Sequence, residues 1–384
     1  MNAVGNLIAP LTDAISGLVG GGKQGIGIEV APDRINLAQV QRKGQKYKLN
    51  VLSSVPVPEG VIDEGTILDP PALAELIQAV IDDSRVKVKQ IATAIPGREA
   101  VIRLIPVPAE LNDDELRDFM NQEAGLYLPF PREEADVDYQ KLGYFTDEDG
   151  IEKVQVLLVA TRREVTDTYL DTFEQAGLQI KSLEIASFAL IRTIRDQLRA
   201  YTPEQAVVLL DIEFDSTEIA IIVNGVPQFS RTVPLGTYQI QEALNRAMNM
   251  PPSRDTELLM EMVVPITSDS SVGTGTTGMN PGNAAIVKMM GELSDELRRS
   301  IDFYLNQSEE LEIVQLLLAG PGAAIGDADQ FFNSRLNIPT SRVDPVDALG
   351  IEGDDAIAYS QRSGFGVVLG LGLRETVDEK AAGA

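Results

Sequence analysis

The stretch VVLLDIEFDSTEIAIIVNG, residues 207–225, runs apolar residues into Asp211, adds Glu213 and Asp215, and sets the hydroxyls of Ser216 and Thr217 before a second apolar strand. Three carboxylates in one short reversal repel one another, and a cation relieves that repulsion. Carboxylates at a strand end can hold Mg²⁺ with its waters, while turn N–H groups and hydroxyls can hold phosphate oxygens. The pattern occurs twice. Laying Glu29 on Asp211 aligns GIEVAPDRINLAQV (27–40) with LLDIEFDSTEIAII (209–222) without a gap, placing Val30 on Ile212, Asp33 on Asp215, Leu37 on Ile219, Ala38 on Ala220 and Val40 on Ile222. Two such tips facing each other would form a crevice for a phosphate-bearing ligand, with Mg²⁺ reached through Asp211. A third segment, LAGPGAAIG (318–326), is an apolar strand emptying into glycines, which let backbone approach a flat ligand closely.

Helices and strands must alternate to position these turns. Strand, turn, strand is expected from Gly25, with a basic turn at Lys43-Gly44 and a third strand after it. A helix opened by Pro70-Pro71 follows, with Leu73, Leu76, Ile77, Val80 and Ile81 inward. Strands are expected at 90–95 and 100–105, a helix capped by Asn112 or Asp113 and ending before LPFP (128–131), and an acidic hairpin turn at Asp147–Gly150. A helix from Arg163 to Ala176, a strand to Glu184 and a helix toward Leu198 close the first half. The second half restarts with three strands from Val207 to Pro234 and a helix near Thr237. A helix through GELSDELRRSIDFYLNQ (291–307), the strand EIVQLLLAG and a closing glycine-rich strand GFGVVLGLGLRE complete it. The class is α/β with mixed sheets. Outside this body stand an amphipathic stripe near the N-terminus (Leu7, Ile8, Leu11, Ile15, Leu18, Val19), a span of small polar residues at 267–283 expected to be mobile, and a short tail.

Composition removes whole classes of chemistry. With no Cys and no His, disulfides, thiolate nucleophiles, histidine bases and the usual zinc sites are excluded. Lys+Arg 32 against Asp+Glu 58 leaves a net charge of -26, a field that opposes nucleic acid. No uninterrupted apolar run is long enough to span a bilayer, and no signal-peptide pattern opens the chain, so it reads as cytosolic. At 384 residues, two or more domains are expected.

The two hairpins, the glycine-rich turn and the closing GLGL segment resemble the actin-like ATPase superfamily, a duplicated, ribonuclease H-like fold with two domains around a nucleotide cleft. NQEAGLYLPFPREEADVDYQKLG (121–143), VQVLLVATRREVTDTYLDTFEQAGLQIKSLEIASFALIRTI and GELSDELRRSIDFY narrow the resemblance to the PilM family of type IV pilus assembly proteins, over about residues 25–375. The resemblance implies four subdomains. Subdomain 1A takes 25–85, completed by about 185–205 and 366–376; 1C is inserted at 86–184; 2A takes 206–245 and 312–365; 2B takes 246–311. It also implies ATP or ADP with Mg²⁺, held by candidates among Gly27, Glu29, Asp33, Arg34, Asp211, Asp215, Ser216, Thr217, Gly236, Thr237, Glu257, Arg299, Ser300, Gly320, Gly322 and Ala323.

By the same resemblance the chain serves as a scaffold holding the short cytoplasmic tail of the inner-membrane protein PilN in a groove between 1A and 1C. Leu126, Tyr127, Leu128 and Phe130 are the groove candidates. Its place is then peripheral, at the inner face of the inner membrane through partners, other platform and motor-side components among them.

Several positions depart from the family's nucleotide pattern. The first phosphate turn carries Pro32, which has no N–H, and lacks hydroxyls; Asn36 stands where a lysine is usual. Glu213 replaces a glycine, Met260 replaces a second lysine, and Gly320-Pro321 stands for Gly-Gly. Losing two charge-assisted contacts would weaken affinity by about 10²- to 10⁴-fold, so nucleotide binding is expected to be weak or lost, and any ATPase activity weak at most. The alternatives are an FtsA-like division filament protein, which would want a basic amphipathic C-terminal helix rather than RETVDEKAAGA, and a divergent sugar or acetate kinase, which needs intact phosphate loops.

Overall fold

The computed structural model describes residues 24–44, 46–87, 89–266, 279–306, 311–352 and 357–374. The N-terminal stripe, most of the polar span at 267–283 and the tail at 377–384 lie outside them.

The first half opens with β1 (Gln24–Val30), β2 (Arg34–Lys43) and β3 (Lys46–Pro56), an antiparallel trio, followed by a small hairpin of β4 (Ile62–Asp63) and β5 (Thr66–Ile67). Helix α1 (Pro70–Ser84) starts where Asp69 accepts the N–H of Ala72 and Pro70 presets the first turn. Leu73, Ile77 and Val80 form its buried stripe. Its continuation β6 (Gln90–Ile95) pairs parallel with β1.

An excursion follows: β7 (Ala100–Pro108), α2 (Asp113–Glu123), β8 (Ala135–Thr146) and β9 (Glu152–Arg162) make a separate three-stranded sheet in the order β7-β9-β8. Asn112 and Glu115 close a reciprocal capping box on α2. Helix α3 (Arg163–Gln175) returns the chain to β10 (Gln179–Ile185), which lies parallel to β6, and α4 (Ala186–Thr193) and α5 (Arg195–Leu198) lead out. Because β6, β10 and the buried Tyr169 and Phe173 of α3 belong to the first sheet and its core, the excursion with its own sheet occupies 100–162, less than the 86–184 expected from sequence.

The second half repeats the plan. β11 (Gln205–Ile212), β12 (Thr217–Val223) and β13 (Val226–Val233) are again antiparallel, and α6 (Thr237–Ala247), α7 (Glu257–Met260) and α8 (Pro281–Leu305) lead to β14 (Glu312–Ala319), parallel to β11. Helix α9 (Ala328–Leu336) crosses to β15 (Thr340–Arg342). The chain then runs through α10 (Pro345–Ala348) and β16 (Ile351–Glu352), which joins the first sheet beside β3, and ends its described part in α11 (Gly366–Arg374). The sheet orders are β10-β6-β1-β2-β3-β16 and β13-β12-β11-β14-β15: one five-stranded plan used twice, with β16 added to one edge. Residues 246–311 build no further sheet among those described; Leu259, Met290, Leu293 and Leu297 enter the core of the second sheet.

The closing segment is a helix, not the expected strand. It is apolar all round because α11 is wholly buried, and a buried strand and a buried helix share that pattern. Its glycines permit the packing. A Cβ on Gly370 would fall on the backbone of Ala189 in α4, and a Cβ on Gly27 would lie 2.6 Å from the N of Gly372. Ala189, Leu190, Val367 and Leu371 of α4 and α11 share a core with Val207 and Leu209 of β11 and Ala92 and Ala94 of β6. The two helices therefore fill the space between the two sheets. The expected helix toward Leu198 also breaks in two at Ile194.

Candidate functional site: the crevice between two hairpin tips

Both hairpins share one register. Glu29 stands opposite Asn36 and Val30 opposite Ile35; Asp211 stands opposite Glu218 and Ile212 opposite Thr217. The tips meet. Arg34 Nη2 lies 2.6 Å from Glu213 Oε2, spanning from the first hairpin to the second, while Arg34 Nη1 lies 3.0 Å from Asp33 and Nη2 lies 3.7 Å from Glu29. One guanidinium thus sits among three carboxylates, those of Asp33, Glu29 and Glu213. Asn36 donates to Glu29 Oε2 at 3.0 Å.

Several donors around the tips bond within the chain. At the second tip the N–H groups of Thr237 and Tyr238, in the first turn of α6, bond the carbonyls of Glu213 and Phe214, and Gly236 N–H bonds the Gln239 side chain. Thr217 donates its hydroxyl to the carbonyl of Leu235, and Ser216 donates to Asp215. At the first tip Ala31 N–H bonds the carbonyl of Arg34.

The glycines face protein rather than a ligand space. Gly236 packs on the carbonyls of Glu213 and Phe214, and Gly322 packs on Ile212. Gly320, at φ 76°, comes so close that a Cβ there would lie 2.5 Å from the Ile212 carbonyl and 2.7 Å from Asp211 Oδ1. These glycines let the third segment close onto the end of β11, where Ala323 is buried as well.

Burial dominates the electrostatics. It pushes the Glu29 carboxyl up to about 7, against the opposing pull of Arg34. Burial, reinforced by Glu213, Glu218 and Glu29, raises Asp211 well above an ordinary carboxylate, and burial also raises Glu213 and Glu218. For Arg34, burial works against the charge, but Asp33, Glu213 and Glu29 outweigh it and hold the proton more firmly than usual.

Asp211 Oδ1, Asp215 Oδ2 and Asn36 Oδ1 are buried and bond nothing in the chain, and orphaned acceptors of this kind suit a cation. Arg34 occupies the space between Asp33, Glu29 and Glu213, and among the described residues no group of three or more acidic side chains could hold a metal by itself, so an ion here would rest on Asp211 with water and ligand oxygens.

Other sequence candidates lie elsewhere. Glu257 is exposed at the start of the short α7. Arg299 pairs with Glu296 on the exposed side of α8, and buried Ser300 donates to the carbonyl of Glu296 and accepts from Arg231 of β13. Among the groove candidates, Leu126 is 77% exposed, whereas Tyr127, Leu128 and Phe130 are half-buried. Tyr127 packs on the core of the inserted sheet, and the guanidinium of Arg162 lies 4.7 Å above the Phe130 ring. Arg162 also lines a cavity of about 450 Å³ together with Glu133, Glu134, Glu164, Asp167 and Asp171, an acidic hollow where the inserted unit meets α3.

Sequence reasoning missed Arg98, which reaches Asp215 at 3.1 Å, and Arg254, which donates to the Pro32 carbonyl at 2.9 Å. It also missed Glu218, bonded by Ser230 and packed on Gly97. Glu218 was within reach, because it falls on Asn36 in the repeat; the two arginines come from loops with no local signal.

The family model for the type IV pilus assembly protein PilM matches residues 27–376. The chain belongs to the PilM family. A solved PilM-PilN type IV pilus biogenesis complex is similar over 92% of this chain and 99% of that one, at 25% identity and a TM-score of 0.76. MreB 5 of Spiroplasma citri bound to AMPPNP matches over 94% of this chain and 98% of its own, at 10% identity and a TM-score of 0.52. The ethanolamine utilization protein EutJ from Carboxydothermus hydrogenoformans matches over 93% and 90%, at 12% identity and 0.51. These two likenesses establish the fold, which is actin-like. Among the described residues no helix is long and apolar enough to cross a membrane.

Proposed function

We infer that the chain is a cytoplasmic scaffold of the type IV pilus inner-membrane platform, which captures the N-terminal cytoplasmic tail of PilN and binds ATP-type nucleotide weakly or not at all. The observation that carries the partner is the likeness to a PilM-PilN complex along nearly the whole of that chain. The groove candidates would supply a suitable chemistry: Leu126 is exposed, and Phe130 is half-buried under Arg162, which also lines an acidic hollow. An extended tail with apolar anchors and a positive side chain fits that surface. A synthetic PilN tail peptide is expected to pull down the wild-type chain and to lose affinity for Phe130→Ala and Leu126→Ala; equal capture of all three would count against the groove.

The weakness of nucleotide binding is supported by Arg34, which sits among Asp33, Glu29 and Glu213, and by the hydroxyls of Ser216 and Thr217, which bond within the chain. Isothermal titration with MgATP is expected to give little heat, and a sub-micromolar dissociation constant would overturn this part of the reading.

A further inference from the structure

Three guanidinium groups cross the crevice, and they cross in both directions. From the first lobe, Arg34 reaches Glu213 and Arg98 reaches Asp215; from the second, Arg254 donates to the Pro32 carbonyl while its plane lies 4.9 Å from the Phe214 ring centre. If Arg34 served only to neutralise its own hairpin, its tightest contact would be with Asp33 or Glu29. Its shortest distance is instead to the other lobe, 2.6 Å against 3.0 and 3.7 Å. The Arg34 and Arg98 side chains are only 14% and 16% exposed, so solvent screens these attractions less than it would at an open surface.

We propose that Arg34, Arg98 and Arg254 form a latch that holds the two lobes closed with no ligand between them. The proposal rests on the reading that the crevice is not a working nucleotide site, and it gives the crevice a mechanical role instead. Arg34 is a tethered cation: it meets the carboxylates of both tips and is never released, so closure is constitutive rather than set by a bound molecule. The latch also governs the inserted unit. Arg98 lies in the short turn between β6 and β7, where the chain leaves the first sheet to enter that unit, and Gly97 beside it packs under the Glu218 carboxylate of the second lobe. Fixing Arg98 fixes β7, the strand by which the chain enters that unit.

Because the chain has no cysteine, two introduced thiols are the only labels it carries. Spin labels at Asp83→Cys and Glu261→Cys, exposed sites on the two lobes, report lobe separation by pulsed dipolar spectroscopy. The wild type is expected to give one narrow distance distribution that saturating MgATP leaves unchanged. Arg34→Gln and Glu213→Gln should each broaden it and move it to longer distance, and the double variant should move it no further than Arg34→Gln alone. Circular dichroism checks that each variant is folded. If Arg34→Gln fails to fold, Glu213→Gln carries the test, since Arg34 there keeps Asp33 and Glu29. Unchanged distributions in folded variants overturn the latch, as does a broad wild-type distribution that narrows only with MgATP. Tight MgATP binding by a wild type that stays narrow throughout, with variants that open, supports the arginine contacts as what joins the lobes but overturns both the weakness of nucleotide binding and the purely mechanical role of the crevice.

Discussion

Glu29 is a buried acid whose partner is shared with two other carboxylates, and that sets a pH dependence. Its folded value of about 7 lies above its ordinary 4.5, so the folded state binds the proton more tightly than the unfolded one. The stability it contributes is fully present below 4.5 and is lost as pH rises through about 7. The shift corresponds to a loss on the order of 3 kcal/mol, shared with its coupled neighbours. Glu29→Gln keeps an oxygen for Asn36 and removes the titration, so denaturant unfolding across that window should show a flatter slope in the variant; identical slopes would refute the assignment. Glu213→Gln tests the neighbouring contact by stability. Breaking one side of a buried pair costs roughly 3 to 5 kcal/mol, and the 23% exposure of the Glu213 side chain puts the expected loss at or below the lower end. At this scale the sequence pointed to crowded acids at each tip and offered Mg²⁺ to relieve them, but gave no sign that Arg34 would sit among Asp33, Glu29 and Glu213 across both tips. The register of the two hairpins follows from the aligned residues, but the Arg98–Asp215 contact joins positions 117 residues apart and the Arg254–Pro32 contact joins positions 222 apart.

Among elements, α11 matters most. It packs against β1, β2 and α4 through glycines, so side chains introduced there have no space to enter. Gly370→Leu should lower unfolding stability by at least the roughly 1 to 3 kcal/mol typical of overpacking, whereas Gly150→Ala, in the exposed β8–β9 turn at φ 79°, pays only the cost of its backbone conformation. Comparable losses in thermal unfolding would show that the helix seat is not tight. Helices with clear opening signals, such as α1 with Pro70-Pro71 and α2 with Asn112, were legible in the sequence. The identity of α11 was not, because eight adjacent buried residues erase the period that separates a helix from a strand. The bounds of the inserted unit were obscured for a related reason: β6 and β10 look like any short strands until their parallel pairing with the first sheet is seen.

For the whole molecule, the repeated strand order makes two lobes around a layer formed by α4 and α11, and charge decides how firmly they meet. Three arginines join lobes of a chain whose net charge is -26, so moderate salt weakens the crossing pairs and also quiets the general self-repulsion. The partly buried crossing pairs are screened less than exposed ones, so the lobe separation reported by spin labels should change little between low and physiological salt. A large opening over that range would mean that solvent reaches the crevice freely. The layer between the sheets also orders events during synthesis. Residues 366–374 seat against β1 and β2, which left the ribosome more than three hundred residues earlier. The second lobe has all its strands once β15 is made, while the first must wait with one flank uncovered, so the half translated first is the half finished last.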